Sequence, residues 1–406
     1  MLDKLFFILK IRIINSIFQG DFMIKRDYFI SHITKLFKSH QIVGILGPRQ
    51  CGKTTLARIY LKKTQEKIIP ENYFDLEDLN DLERLKTPQI TLKNLKGLII
   101  IDEIQRMPEL FPTLRVLADK SESTQKFLIL GSSSKSLLQK SSESLAGRIA
   151  YIELQPFSIE EILETEKLWH RGGFPKSFLA IDDESSILWR KSYTKTFIEQ
   201  DISNFGFHIP SPQLRRFWMM LTHYHGNIFN ASEIGSSLQL SYKTIQNYTD
   251  ILMHTFMIRK LQPWVENISK RQVKACKIYF RDSGLFHTLL GLETQSALLT
   301  HPKLGASWEG FALEEIIRYH KADSFDCYFW ATYSQAELDL IILKNDKRLG
   351  FEFKYTDSPK ITRSMKIALE DLRLNKLTII YPGNKSFKLS DKIYASGLLS
   401  YIFEQN

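Results

Sequence analysis

From Gln41 onward the chain alternates short apolar runs with amphipathic stretches. Ile42-Val43-Gly44-Ile45-Leu46, Tyr73-Phe74-Asp75-Leu76, Leu98-Ile99-Ile100-Ile101 and Phe127-Leu128-Ile129-Leu130 are each too short for a helix and largely lack polar alternation. Strands of that kind are buried on both faces, which predicts a parallel α/β sheet. Ile149 to Leu154 supplies a fifth strand, and Gln155-Pro156-Phe157 ends the pattern. Residues 160–260 then read as mostly helical. Within them, Ala231 to Leu238 and Ser241 to Leu252 place two amphipathic helices around a tight turn, with Phe256 to Leu261 and Lys277 to Phe280 as strands of a wing. Further on, the periodicity predicts a helix from Trp308 to His320 and strands near Leu338 to Leu343, Gly350 to Tyr355 and Leu377 to Tyr381.

A chain of 406 residues with 43% apolar and 25% charged residues is long enough for two or three folded domains and lies far from a disordered composition. Its formal charge of +10 is compatible with a polyanionic partner. Cys51, Cys276 and Cys327 are widely spaced and lack metal-ligand spacing, so no disulfide framework is expected and the cytoplasm is the default compartment. Leu5 to Phe18 is apolar but interrupted by Lys10 and Arg12 and is too short to span a bilayer. It reads either as an interfacial amphipathic helix or as a dispensable extension before a second plausible start at Met23. No membrane span is expected.

Chemistry concentrates first at Gly47-Pro48-Arg49-Gln50-Cys51-Gly52-Lys53-Thr54, which has the form G-x-x-x-x-G-K-[ST] between an expected strand and an amphipathic helix. Backbone N–H groups from Gly47 to Thr55 are expected to cradle the phosphates of ATP, with Lys53 reaching the β- and γ-phosphates and the Thr54 hydroxyl on Mg2+. Leu98 to Ile101 runs into Asp102 and Glu103, the first expected to organise Mg2+ and the second to orient the attacking water. In Gly131-Ser132-Ser133-Ser134, Ser132 or Ser133 is expected to sense the γ-phosphate, unless both are plain turn residues. Arg148 is a candidate arginine finger acting on a neighbouring subunit of a homo-oligomer, or else a surface arginine.

These motifs, together with Leu145 to Arg148 and Gly172-Gly173-Phe174-Pro175, resemble a prokaryotic family of AAA-type P-loop ATPases whose carboxy-terminal part is a domain of unknown function. The likeness continues through Asn230 to Glu233, Lys243 to Ile245, Tyr279 to Leu285 and Gly305 to Gly310, so it covers the chain from residue 23 onward. The resemblance implies an AAA-type ATPase core, a winged-helix element and a terminal domain similar to restriction-endonuclease-like folds. The expected architecture is therefore α/β: a P-loop NTPase parallel sheet, a winged-helix domain, and a PD-(D/E)xK-like α/β domain. The expected division is an extension at 1–22, the ATPase core at 23–155, a helical linker or lid at 156–220, the winged helix at 221–290 and the terminal domain at 291–406.

In that last segment Asp339, Glu352 and Lys354 resemble the D…E-x-K pattern of metal-dependent nucleases. Period-two alternation puts Glu352 and Lys354 on one strand face, while Asp339 arrives from the paired strand and Glu309 from the preceding helix. Glu309, Asp339 and Glu352 are the expected Mg2+ ligands, with Lys354 catalytic, or the set is a structural remnant. For DNA, Lys243, Gln246 and Asn247 are candidate groove contacts and Lys270, Arg271, Lys274 and Lys277 candidate phosphate contacts. The leading expectation is an ATPase that couples nucleotide state to DNA handling, with Mg-dependent cleavage as an added activity. The alternative is a nucleotide-switched regulatory scaffold whose nuclease-like domain is inactive.

Overall fold

The computed structural model describes residues 24–64, 69–119, 124–133, 145, 147–205, 207–266 and 269–404. The amino-terminal extension and Ser134 lie outside the described residues.

The first sheet has five parallel strands: β1 (Ile42–Leu46), β2 (Tyr73–Asp75), β3 (Leu98–Asp102), β4 (Lys126–Gly131) and β5 (Ile149–Glu153). Their order is β2-β3-β4-β1-β5, with Ile42 opposite both Phe127 and Ile149. Alternate residues feed two cores. Ile99, Ile101, Phe127 and Ile129 pack against Leu110, Phe111 and Leu114 of the helix Leu110–Ala118. On the other face Ile100, Leu128 and Leu130 meet Leu56, Ala57 and Tyr60 of the helix Lys53–Lys63. Each fully buried aliphatic side chain here stabilises the layer by about 1.5–3 kcal/mol. The continuous apolar runs of the central strands thus have the physical cause anticipated for them: β1 and β3 are buried at every position and β4 at every position after Lys126, whereas the edge strands β2 and β5 are partly open to water.

Between residues 165 and 254 the described chain is mostly helical, around a core that includes Phe197, Phe217, Trp218, Ile234, Ile245 and Leu252. The helices Ala231–Leu238 and Tyr242–His254 begin where side-chain oxygens satisfy free backbone donors. Asn230 accepts from the Glu233 N–H at 3.2 Å, and Ser241 from the Thr244 N–H at 3.1 Å. A π-helical turn, Phe197–Asp201, interrupts the preceding long helix Asp183–Thr196.

A second, mixed sheet contains β6 (Asn227–Ile228), β7 (Ile258–Pro263), β8 (Lys277–Phe280), β9 (Cys327–Ala331), β10 (Glu337–Lys344), β11 (Lys347–Phe353), β12 (Lys376–Tyr381), β13 (Ser386–Lys388) and β14 (Ile393–Gly397). Its order is β13-β14-β12-β11-β10-β9-β7-β8-β6. The expected wing strands β7 and β8 do pair, Ile258 opposite Phe280, but β7 outruns β8 and continues in parallel onto β9 through Gln262 and Pro263. A boundary at 290/291 therefore cuts through one sheet. The helix Leu304–His320 begins earlier than expected and seals this joint. Its Trp308, Phe311 and Ile316 share a core with Leu168 and Trp169 of the helical segment and with Phe329 and Phe351 of the sheet.

Candidate active site

The carboxyl ends of β1, β3 and β4 converge on one edge of the five-stranded sheet. Gly47 follows β1 and donates its N–H to the Gly131 carbonyl at 3.2 Å. A Cβ there would lie 2.0 Å from the Leu154 carbonyl, so only glycine allows the loop to sit this close to the sheet. Gly52, with φ +102°, turns the loop into the helix Lys53–Lys63. Lys53 is buried, and its ammonium folds back to donate to the Gly47 and Pro48 carbonyls at 3.0 and 2.9 Å. Cys51 is fully buried against the Leu154 carbonyl, whereas Gln50 and Thr55 are exposed.

Asp102, at the end of β3, is the hub beside the loop. Its Oδ2 accepts from the Thr54 hydroxyl at 2.7 Å and the Tyr73 hydroxyl at 3.0 Å, and its Oδ1 from the Glu103 N–H at 3.0 Å. Burial pushes the Asp102 carboxyl above its usual range; the Thr54 hydrogen bond opposes this and the Glu103 charge adds to it. Glu103 stands in the left-handed region, φ 52°, where only a few per cent of non-glycine residues are found. That turn aims its carboxylate at Ser132, whose hydroxyl donates to Oε1 and Oε2 at 2.9 and 3.0 Å, and at the Gln105 amide. Of the two serine candidates, Ser132 is thus the one joined to the acid; Ser133 is buried beside it.

Arg148 stands apart. It precedes the amino end of β5, the opposite edge of the sheet from the loop, and its guanidinium pairs with Asp119 on the surface, one of its bonds measuring 3.1 Å. It joins none of these groups within the chain. Two other arginines do: Arg26, which motif reading passed over, and Arg49, expected only as a residue of the phosphate loop. Arg26 is buried and donates to the Cys51 carbonyl at 3.2 Å and the Gln155 carbonyl at 2.8 Å while paired with Glu161 at 2.7 Å. Arg49 extends from the loop to Asp201 of the π-helical turn and to Glu77 beyond β2.

The residues present fit a nucleotide and its cation: a loop with no room for a Cβ at its first glycine, a buried ammonium resting on backbone carbonyls, and a hydroxyl and a carboxylate side by side. This is the loop-and-acid arrangement of a P-loop domain on an α/β sheet.

Residues 39–163 match the AAA domain family, 162–296 a domain of unknown function (DUF8612) and 304–401 a second one (DUF4143). The uncharacterized protein Rv2008c of Mycobacterium tuberculosis and its counterpart Mb2031c of Mycobacterium bovis are each 44% identical over 375 residues, covering 92% of this chain and 83% of theirs. Among solved structures, the Walker-type ATPase PABY2304 of Pyrococcus abyssi is similar with a TM-score of 0.44 at 16% identity, over 66% of this chain and 97% of its own. The chain belongs to the family of the two mycobacterial proteins, an AAA-type P-loop ATPase domain followed by DUF8612 and DUF4143.

The second set of charged residues meets at the fork between β10 and β11. Paired residues run from Leu340/Phe351 to Lys344/Lys347; beyond them the strands part, and the Phe353 N–H is taken by Asp339 Oδ2 at 3.0 Å instead of by a strand carbonyl. Glu352 and Lys354 share a face as expected, paired at 2.8 Å, while Glu352 Oε2 is buried without a hydrogen-bond partner. Glu309 reaches the fork from its helix and accepts from the Tyr279 hydroxyl at 2.6 Å. Burial drives both the Glu309 and the Glu352 carboxyl well above their usual range, and the Asp339 charge drives both further.

Lys277 corrects the reading of this region. Expected at a DNA phosphate, it is 2% exposed, and its ammonium lies 3.4 Å from Asp339 Oδ1 and 3.6 Å from Glu309 Oε1, and is paired with Glu337. It is drawn inward because β8 carries it into the same sheet as the acids. Among the described residues no group of three or more His, Cys, Asp or Glu is arranged to hold a metal ion. In this arrangement a lysine ammonium compensates two of the three terminal-domain carboxylates expected as Mg2+ ligands, Glu309 and Asp339. Lys270 pairs with Asp371 at 2.7 Å and Arg271 stacks on Tyr333, so of the four basic candidates only Lys274 is an exposed cation with no such partner among the described residues. Among the described residues no helix is long and apolar enough to cross a membrane.

Proposed function

We propose that the chain binds and hydrolyses Mg-ATP at the Gly47–Thr55 loop and passes the nucleotide state through the helical segment to the nine-stranded sheet. The loop N–H groups and the start of the Lys53–Lys63 helix receive the phosphates, and Lys53 exchanges its two carbonyl partners for phosphate oxygens. Thr54 and Asp102 hold Mg2+, which supplies neutralisation of phosphate charge. Glu103, oriented by Ser132 and Gln105, positions the water whose oxygen bonds to the γ-phosphorus as the bond to the bridging oxygen breaks and ADP leaves with the electron pair. The single observation carrying this reading is the hydrogen-bonded chain Thr54, Asp102, Glu103, Ser132 beside a buried loop lysine.

The test compares Lys53→Ala with Glu103→Gln. Loss of the lysine cation is expected to weaken ATP binding at least tenfold, whereas Glu103→Gln binds ATP and turns over poorly. Equal binding and turnover by wild type and both variants would end the assignment.

DNA is the second reading, with a winged-helix module as its vehicle. It is favoured by the exposed Lys243 and Asn247 and the half-buried Gln246 on the second capped helix. The terminal domain retains the PD-(D/E)xK-like order of Asp339, Glu352 and Lys354, but the Lys277 ammonium sits among its acids, beside Glu309 and Asp339. That arrangement supports the scaffold alternative for this domain.

A further inference from the structure

Arg49 makes contacts that the phosphate-loop motif does not require. The loop leaves β1, while Glu77 lies two residues past the carboxyl end of β2, and β3 and β4 stand between those strands. Neighbouring strands are about 4.8 Å apart, so β1 and β2 are separated by roughly 14 Å. An arginine of the loop paired with Glu77 must therefore extend across the carboxyl ends of β4 and β3, where Ser132, Asp102 and Glu103 lie. The charge of Glu103 acts on both Arg49 and its partner Asp201, in keeping with that placement.

The guanidinium is anchored from two sides. Asp201, buried in the π-helical turn, takes Nη1, and Glu77, itself 3.7 Å from Arg106, takes Nη2. π-Helical turns recur at functional sites because they redirect one side chain out of helical register. The Tyr193 hydroxyl also donates to the Arg49 carbonyl at 3.4 Å. A guanidinium has more N–H donors than these two contacts use, so phosphate oxygens can be bonded without breaking either.

We propose that Arg49 is a catalytic cation supplied in cis by the phosphate loop, meeting the terminal phosphate of ATP, and that Asp201 is the positioning residue that aims it. The role of an arginine finger is then filled within one chain. Because Asp201 belongs to the helical segment and not to the sheet, its grip on Arg49 also ties turnover to the placement of that segment. This inference rests on the ATP-hydrolysis reading above.

The experiment measures nucleotide affinity and single-turnover hydrolysis for wild type, Arg49→Ala, Asp201→Asn, the double variant and Lys53→Ala, with melting curves to confirm folding. Cations in this role contribute about 10³–10⁵ in rate, so Arg49→Ala is expected to lose on the order of 10³ in kcat while ATP affinity changes far less. Added guanidinium should restore part of that loss, which a structural tie would not show. Asp201→Asn should lower kcat roughly tenfold in the wild-type background and have no effect in the Arg49→Ala background, since a residue acting only through Arg49 is silent without it. Wild-type kcat in Arg49→Ala overturns the catalytic role; an equal Asp201→Asn effect in both backgrounds overturns the positioning role. A wild type that neither binds nor hydrolyses ATP, indistinguishable from Lys53→Ala, sinks the underlying ATP reading instead.

Discussion

Replacing Lys277 with methionine keeps an unbranched apolar side chain and removes the ammonium, which lies 5.6 Å from the Phe329 ring centroid, so the loss reports what the cation contributes. The lysine is 2% exposed, and its partners Asp339 and Glu309 are 8% and 18% exposed, so two of its three ion pairs are largely withdrawn from water. Glu337 is 43% exposed and its pair is screened; such pairs contribute roughly 0–1 kcal/mol. Removing one partner of a buried pair costs about 3–5 kcal/mol because the remaining charges are stranded. For a folding unit of roughly 150–250 residues that corresponds to a drop in Tm of roughly 6–20 °C. The assay is thermal melting of the full chain followed by near-ultraviolet circular dichroism, with and without Mn2+. Lys277→Met should melt well below wild type, and Mn2+ should raise its Tm but not that of wild type, since only the variant has an uncompensated carboxylate pair. Asp339→Asn added to Lys277→Met should remove the Mn2+ effect. Melting of Lys277→Met within a degree or two of wild type, or a Mn2+ gain already present in wild type, would refute the view of Lys277 as the cation of this cluster.

Two further outcomes follow from other groups. His287 is buried with its ring nitrogens on the Ser307 hydroxyl and the His170 carbonyl, and burial holds its pKa down at about 3. A folded value below the unfolded 6.5 means the neutral form is stabilising above pH 6.5, and that contribution fades as pH falls toward 3. At pH 5 the loss is about 2 kcal/mol, and urea titrations from pH 7 to 4.5 should show a shallower slope in His287→Asn; an unchanged slope would contradict the buried neutral state. If DNA binds, charge reversal at Lys270, Arg271 and Lys274 should flatten the dependence of log K on log salt by about 0.9 for each phosphate no longer neutralised, measured by anisotropy from low to high salt. An unaltered slope would move the DNA surface elsewhere.

The nucleotide loop was readable because its chemistry is local: the glycines, the lysine and the threonine are consecutive, and the strand and helix that present them announce themselves by periodicity. The charged network around Lys277 had no such signal. In sequence Lys277 ends a run with Lys270, Arg271 and Lys274, and charge in a run normally marks a solvated face; yet it also begins Lys277-Ile278-Tyr279-Phe280, a strand buried at every position. The clue lay in that second membership. A lysine opening a fully apolar strand needs a carboxylate brought from elsewhere, and Glu309 and Asp339, already singled out as acids needing a cation, are what it meets. The joining of β7 to β9 through Gln262 and Pro263 escaped for a related reason, since two residues of pairing leave no period to detect. Asp201 is hidden more deeply, because a π-helical turn has no residue signature and its carboxylate gains meaning only once folding sets it against Arg49. Motifs reveal the chemistry that one segment can complete, whereas opposite charges brought together from separate segments are legible only if each buried charge is asked for its partner.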